Sequence, residues 1–170
     1  MLKENQQQRF WRSLQGARIK AKTEVRRRAM LSVGASLVPI PGLDAAVDVG
    51  ALVSMFNAIN RAFCLTPEQV ASLNTQERLA ILKAILSVKA PFAGKTVTHA
   101  MVLTLIKQLG AKWIAGKAAR WIPLVGQGAT AVLSYGVFWW LGEEHIKECI
   151  AVRYRAQTLL WIENDRPPKE

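Results

Sequence analysis

Apolar residues recur at three- and four-residue spacing along much of the chain, a period that predicts helices and an all-α fold. Residues 9 to 29 read as one amphipathic helix, with Phe10, Leu14, Ala17, Ala21 and Val25 on a single face and basic side chains over most of the remainder. Residues 29 to 60 read as two apolar helices joined at Pro39-Ile40-Pro41-Gly42, since proline ends the helix before it and Gly42 frees the backbone for a turn. Asp44 is placed to cap the second of these, and Asp48 follows one turn later among Ala45, Val47, Val49 and Leu52. A carboxylate on so apolar a face predicts a buried ion pair. Two helix starts come next, Thr66-Pro67-Glu68-Gln69 and Asn74-Thr75-Gln76-Glu77, each with a capping residue and a partner three positions on. Pro91 closes the second. A helix over 96–109 is expected to stop at Gly110, a short one to run over 111–120, and a last one over 142–161, with a polar tail at 163–170.

Between them lies a stretch, Trp121 to Leu141, with no charged residue. As one helix it would be roughly 30 Å long, a membrane span by length, although Pro123, Gly126 and Gly128 point to a turn near its start. A buried central helix explains the same pattern. Trp121, Trp139 and Trp140 bracket the stretch as an interfacial belt would. The two apolar regions also correspond at a shift of 84 positions: Pro39 falls on Pro123, Gly42 on Gly126, Val53 on Val137 and Phe56 on Trp140. The expected architecture is therefore a helical bundle built around two Pro-x-x-Gly hairpins, 29–60 and 111–141. Small residues such as Ala45, Gly50, Ala129 and Ser134 would let their helices approach closely. The domain reading is a basic helix over 1–28, one helical domain over 29–162 and the tail.

Composition changes the picture in two ways. The 170 residues are half hydrophobic with a mean hydropathy of +0.11, which excludes disorder and keeps membrane contact open. The net charge of +11 implies anionic partners, and it is local: the first 28 residues hold nine Lys or Arg against two Glu, a net of +7. Arg18, Lys20, Lys22, Arg26, Arg27 and Arg28 are the expected contacts with an anionic surface. The last three precede an apolar run, a placement that favours lipid over nucleic acid. Cys64 and Cys149 form no disulfide framework and no zinc ribbon, and the first residues do not read as a signal peptide, so a cytoplasmic location is expected.

Catalytic chemistry finds little support. Phe92-Ala93-Gly94-Lys95-Thr96 imitates the end of a P-loop, yet Lys89 stands where its first glycine belongs. His99 and His145 are far apart, and Glu144, His145 and Glu148 read as a solvated helix face rather than a metal site. No GxSxG elbow occurs. The expectation is a non-enzymatic protein with no catalytic residue, no metal and no cofactor.

Leu37-Val38-Pro39-Ile40-Pro41-Gly42-Leu43-Asp44 with Asp48, followed by Trp121-Ile122-Pro123-Leu124-Val125-Gly126 and the run from Tyr135 to Glu143, resembles the helical domain of interferon-inducible (immunity-related) GTPases and of bacterial GTPase-associated membrane proteins. The EcsC-type membrane-associated family has a similar second hairpin. The resemblance spans roughly residues 25 to 155 and implies a non-catalytic region serving membrane association, self-association or the relay of a GTPase's nucleotide state, here without a G domain. The expected function is docking on the cytoplasmic face of an anionic membrane, as partner or regulator of a separately encoded GTPase or another protein, with a homo-oligomer compatible. Two alternatives stand beside it: a soluble adaptor whose basic helix binds an acidic protein or nucleic acid, and a membrane-perturbing effector whose hydrophobic hairpin inserts.

Overall fold

The computed structural model describes residues 2–35, 43–115 and 127–164, with side chains for 4–30, 49–108 and 135–163. The protein is all-α. Its helices are α1 (Leu2–Ala35), α2 (Leu43–Ala62), α3 (Pro67–Ala71), α4 (Thr75–Val88), α5 (His99–Ala115) and α6 (Gln127–Asn164). The turn residues Pro39, Pro41, Gly42, Pro123 and Gly126 lie outside the described residues, as does Trp121. So do the side chains of Asp44 and Asp48, although α2 begins at Leu43 and Asp44 therefore falls in its first turn.

Local signals set the short elements. Thr66 Oγ1 accepts from Gln69 N–H at 3.3 Å while Gln69 Oε1 accepts from Thr66 N–H at 3.2 Å, the reciprocal cap expected at the head of α3. Asn74 caps α4 through Glu77 N–H at 2.9 Å. That helix ends at Val88, with Lys89 in the left-handed region, two residues before Pro91.

The long elements depart from expectation. α1 is one helix of 34 residues, about 50 Å long, so the boundary drawn at Arg28 falls inside it. α5 passes through Gly110, and α6 passes through Gly142 for 38 residues, so the expected breaks at these glycines do not occur. Glycine in a helix interior costs only about 1 kcal/mol relative to alanine, which packing readily overrides. α5 starts later than expected, at His99, because residues before it are held as a loop: Val97 N–H donates to Asn57 Oδ1 at 2.9 Å and Asn57 Nδ2 donates back to Val97 O at 3.0 Å.

α1 lies antiparallel to both α2 and α6, which run parallel to each other; α4 packs on α6, and α5 rests against α2. The apolar stripe of α1, Phe10, Leu14, Ala21, Val25 and Ala29, is buried in this core, so it faces α2 and α6 rather than lipid. Lys22 Nζ pairs with Glu143 Oε1 at 3.3 Å and the Arg26 guanidinium sits 5.7 Å from the centre of the Trp139 ring. Val49–Ala71 is the one stretch among the described residues that matches a membrane span by length and composition, at a mean hydropathy of 1.2. It is two elements, since α2 ends at Ala62 and Cys64 takes a positive φ of 55°.

Gly142 is where the three long helices meet. A Cβ there would stand 2.6 and 2.7 Å from the two methyls of Val25 and 3.3 Å from Met55 Sδ. Gly142→Ala is expected to destabilise by about 1–3 kcal/mol through overpacking, net of better helix propensity. Gly136 is exposed with nothing within 4 Å of such a Cβ, and Gly136→Ala is expected to stabilise by about 0.5–1 kcal/mol. Thermal unfolding of both variants checks the opposite signs.

Candidate functional site

The sequence offers two candidate regions, the basic helix and the apolar hairpins, and the structure adds a third that sequence reading missed. His145, expected on a solvated face, is 2% exposed. The physical reason is helical phase: at about 100° per residue Leu141, His145, Cys149 and Val152 share one side of α6, and all are buried. Of the acidic neighbours that made the segment look polar, Glu144 projects elsewhere, while Glu148 stays beside the ring.

His145 meets Asn60 of α2, which is fully buried. Asn60 Nδ2 donates to the carbonyls of Phe92 at 2.9 Å and Lys95 at 3.1 Å, and this fixes which way the amide points. Its oxygen therefore faces His145 Nε2 at 3.0 Å, so that nitrogen carries a hydrogen and donates. Cys149 Sγ stands 3.6 Å from the same oxygen, a weak second donor. All the bonding capacity of the Asn60 amide is thus used. On the other side of the ring, Nδ1 lies 3.1 Å from Glu148 Oε2. Phe56 and Phe92, stacked at 4.9 Å, close over the histidine edge-on at 5.1 and 6.1 Å.

Asparagine, histidine and cysteine together suggest nucleophilic catalysis, but the geometry serves another end. Burial, with Glu148 adding to it, pushes the Cys149 thiol well above its usual range, and Nε2 already holds a hydrogen aimed at Asn60, so it cannot take the thiol's. The cluster is a lock. It ties α2 to α6 and to the 92–95 loop, the segment that imitates a P-loop. There Gly94, at φ +74°, makes a turn in which Lys95 N–H donates to Phe92 O at 3.3 Å, and both carbonyls point inward at Asn60. Among the described residues no group of His, Cys, Asp or Glu is arranged to hold a metal.

The basic helix is the exposed candidate. Of its six predicted contacts, Lys22 is drawn to Glu143, Arg26 to Trp139, and Arg28 to Glu24 and to Ser54 Oγ at 3.0 Å. Arg18, Lys20 and Arg27 are exposed and, among the described residues, in no ion pair. Arg9 and Arg12, outside the predicted set, are exposed too. The helical phase puts Arg9, Arg12, Ile19, Arg27 and Met30 on the side of α1 turned away from α2 and α6, with Lys20 at its α2 edge and Arg26 at its α6 edge, and no acidic residue among them. Ile19 and Met30 are each 67% exposed. Trp139 is half-buried and Trp140 is 47% exposed, so the aromatic pair is split between core and surface.

Two grooves open beside α1. One, of about 540 Å³, lies where α1, α4 and α6 end together and mixes Arg9 and Arg153 with Glu77. The other, of about 520 Å³, runs between α1 and α2. Comparison of the chain with protein-family models, with curated proteins and with solved structures returned no match.

Proposed function

We propose that the protein docks on an anionic membrane face through the outer side of α1, and that it acts there as a non-enzymatic partner or regulator. One observation carries the reading: two large apolar side chains, Ile19 and Met30, are left two-thirds exposed on a helix face whose charged members are all cationic. Such a face costs exposed apolar surface in water and gains it back only against a surface that is both greasy and negative. A nucleic acid would satisfy the arginines and leave the apolar pair unused. On this reading the apolar stripe makes the core and the opposite, basic side makes the contact.

The mode is peripheral rather than inserted. Phe138 and Leu141, from the end of the stretch expected as a span, belong to the core. The partnership with a separately encoded GTPase rests on the resemblance of the two Pro-x-x-Gly regions alone.

Sedimentation with phosphatidylcholine vesicles, with and without phosphatidylglycerol, tests the reading. Binding is expected to need the anionic lipid and to be released by high salt. Arg12→Gln with Arg27→Gln is expected to weaken it roughly 30-fold, from about 1 kcal/mol per basic residue at the surface, with helicity unchanged. Arg28→Gln is expected to have much the smaller effect. Retention through alkaline carbonate would mean an inserted hairpin instead, and salt-sensitive binding to acidic polymers without lipid dependence would give the face to an acidic protein or nucleic acid.

A further inference from the structure

We infer that the groove between α1 and α2 binds the phosphate headgroup of one anionic phospholipid, a specific site beside the general docking face. The inference rests on the docking reading, shares Ile19 and Lys20 with the edge of that face and adds Arg61 of α2. Glu24 and Arg28 neutralise each other across one helical turn, and Arg28 is further held by Ser54. That leaves Lys20 on α1 and Arg61 on α2 as cations facing one groove from opposite walls. Among the described residues neither makes an ion pair. Arg61's acidic neighbour Glu68 is kept ionised chiefly by its own backbone N–H and by the Thr66 hydroxyl, with Arg61 the smallest contributor, so the guanidinium is not committed there.

Between the two cations the groove is lined by Ala58 and Ala62, whose small side chains leave room, and by Ile19 where it meets the outer face of α1. The arrangement is polar at its walls and apolar on its floor. A volume of about 520 Å³ suits a phosphate with its glycerol and the first methylenes of an acyl chain, whereas a bare phosphate would leave the alanine floor uncovered. Two charges from separate helices also meet a phosphate's oxygens from both sides, a geometry that one helix face cannot supply. Membrane docking by α1 would bring the groove mouth to headgroup depth.

Cys64 lines the same groove and is exposed, while Cys149 is buried with its thiol pushed up, so alkylation of the folded protein reports on Cys64. The test is the rate of Cys64 alkylation by N-ethylmaleimide, with Cys64→Ser as the blank. Dihexanoylphosphatidic acid, kept below its micelle concentration, is expected to slow alkylation at least fivefold and saturably. Lys20→Gln with Arg61→Gln is expected to raise the half-protecting concentration more than tenfold, protection being measured against the variant's own rate in the absence of lipid. Dihexanoylphosphatidylcholine and inorganic phosphate are expected to protect little. Equal protection by inorganic phosphate would overturn the lipid assignment in favour of a free-phosphate pocket. No protection, in a protein that still sediments with anionic vesicles, would overturn the groove site and leave the docking face standing. Saturable protection without vesicle binding would do the reverse.

Discussion

Asn60→Leu is expected to destabilise the protein by about 3–5 kcal/mol, near the upper end of what one substitution does. The two side chains share the same number and branching of heavy atoms and leucine is the larger, so the loss is not a cavity effect; it comes from what the amide leaves behind. The Lys95 carbonyl loses its side-chain donor, the Phe92 carbonyl keeps only the longer bond from Lys95 N–H, and the buried His145 Nε2–H loses its acceptor. Each orphaned group costs about 1–3 kcal/mol, against about 1 kcal/mol regained by burying an apolar side chain in place of a polar one. The damage should also be directional. The 92–97 segment is held to α2 by Asn60 at Phe92 and Lys95 and by Asn57 at Val97, so the amides of this segment should lose protection from hydrogen exchange before those of α1 do. Urea unfolding of Asn60→Leu, His145→Leu and the double variant closes the argument. If the lock works as a unit, the double variant loses less than the sum of the singles by about 1–3 kcal/mol, and strict additivity would mean that the two side chains act separately.

The same residues show which parts of the structure were legible beforehand. The caps at Thr66 and Asn74 depend on side chains within three positions of the amides they serve, and they form as read. The core face of α1 follows from its period, and the stripe read there is the one that packs. What local rules missed was fixed at a distance. Gly142 looks like a place for a helix to end, yet its missing side chain is what lets Val25 and Met55 approach, and that requirement sits 117 and 87 positions away in the chain. Asn60 and His145 are separated by 85 positions, and nothing near either announces the other. A usable signal did exist for the histidine: the spacing Leu141, His145, Cys149, Val152 is an apolar helical stripe with one polar member, which predicts a buried partner. The acidic residues on both sides masked it, because composition over a short window averages around the helix while burial is decided by phase.

Phase also decides the fate of the 84-residue correspondence, and a pair of substitutions makes that measurable. The correspondence equates Phe56 with Trp140, and α2 and α6 do lie parallel and adjacent, since Met55 meets Gly142 and Asn60 meets His145. Equivalent roles would predict equal losses on truncation. The environments predict otherwise. Phe56 is 1% exposed, stacked on Phe92 and set edge-on to His145, whereas Trp140 is nearly half exposed. Phe56→Ala is expected to cost about 3–5 kcal/mol, from lost burial, a residual cavity and the broken ring contacts. Trp140→Ala is expected to cost less than about 1 kcal/mol, despite the larger side chain. The difference arises because the buried positions of α2, Leu52, Met55, Ile59 and Phe63, correspond to those of α6, Phe138, Leu141, His145 and Cys149, at a shift of 86 rather than 84, and two positions turn a helix by about 200°. Urea midpoints measured at matched slopes discriminate. Comparable destabilisation by both would restore Trp140 to the core and with it a pseudo-symmetric pair of hairpins, while loss of vesicle binding by a stable Trp140→Ala protein would extend the docking face from α1 onto α6.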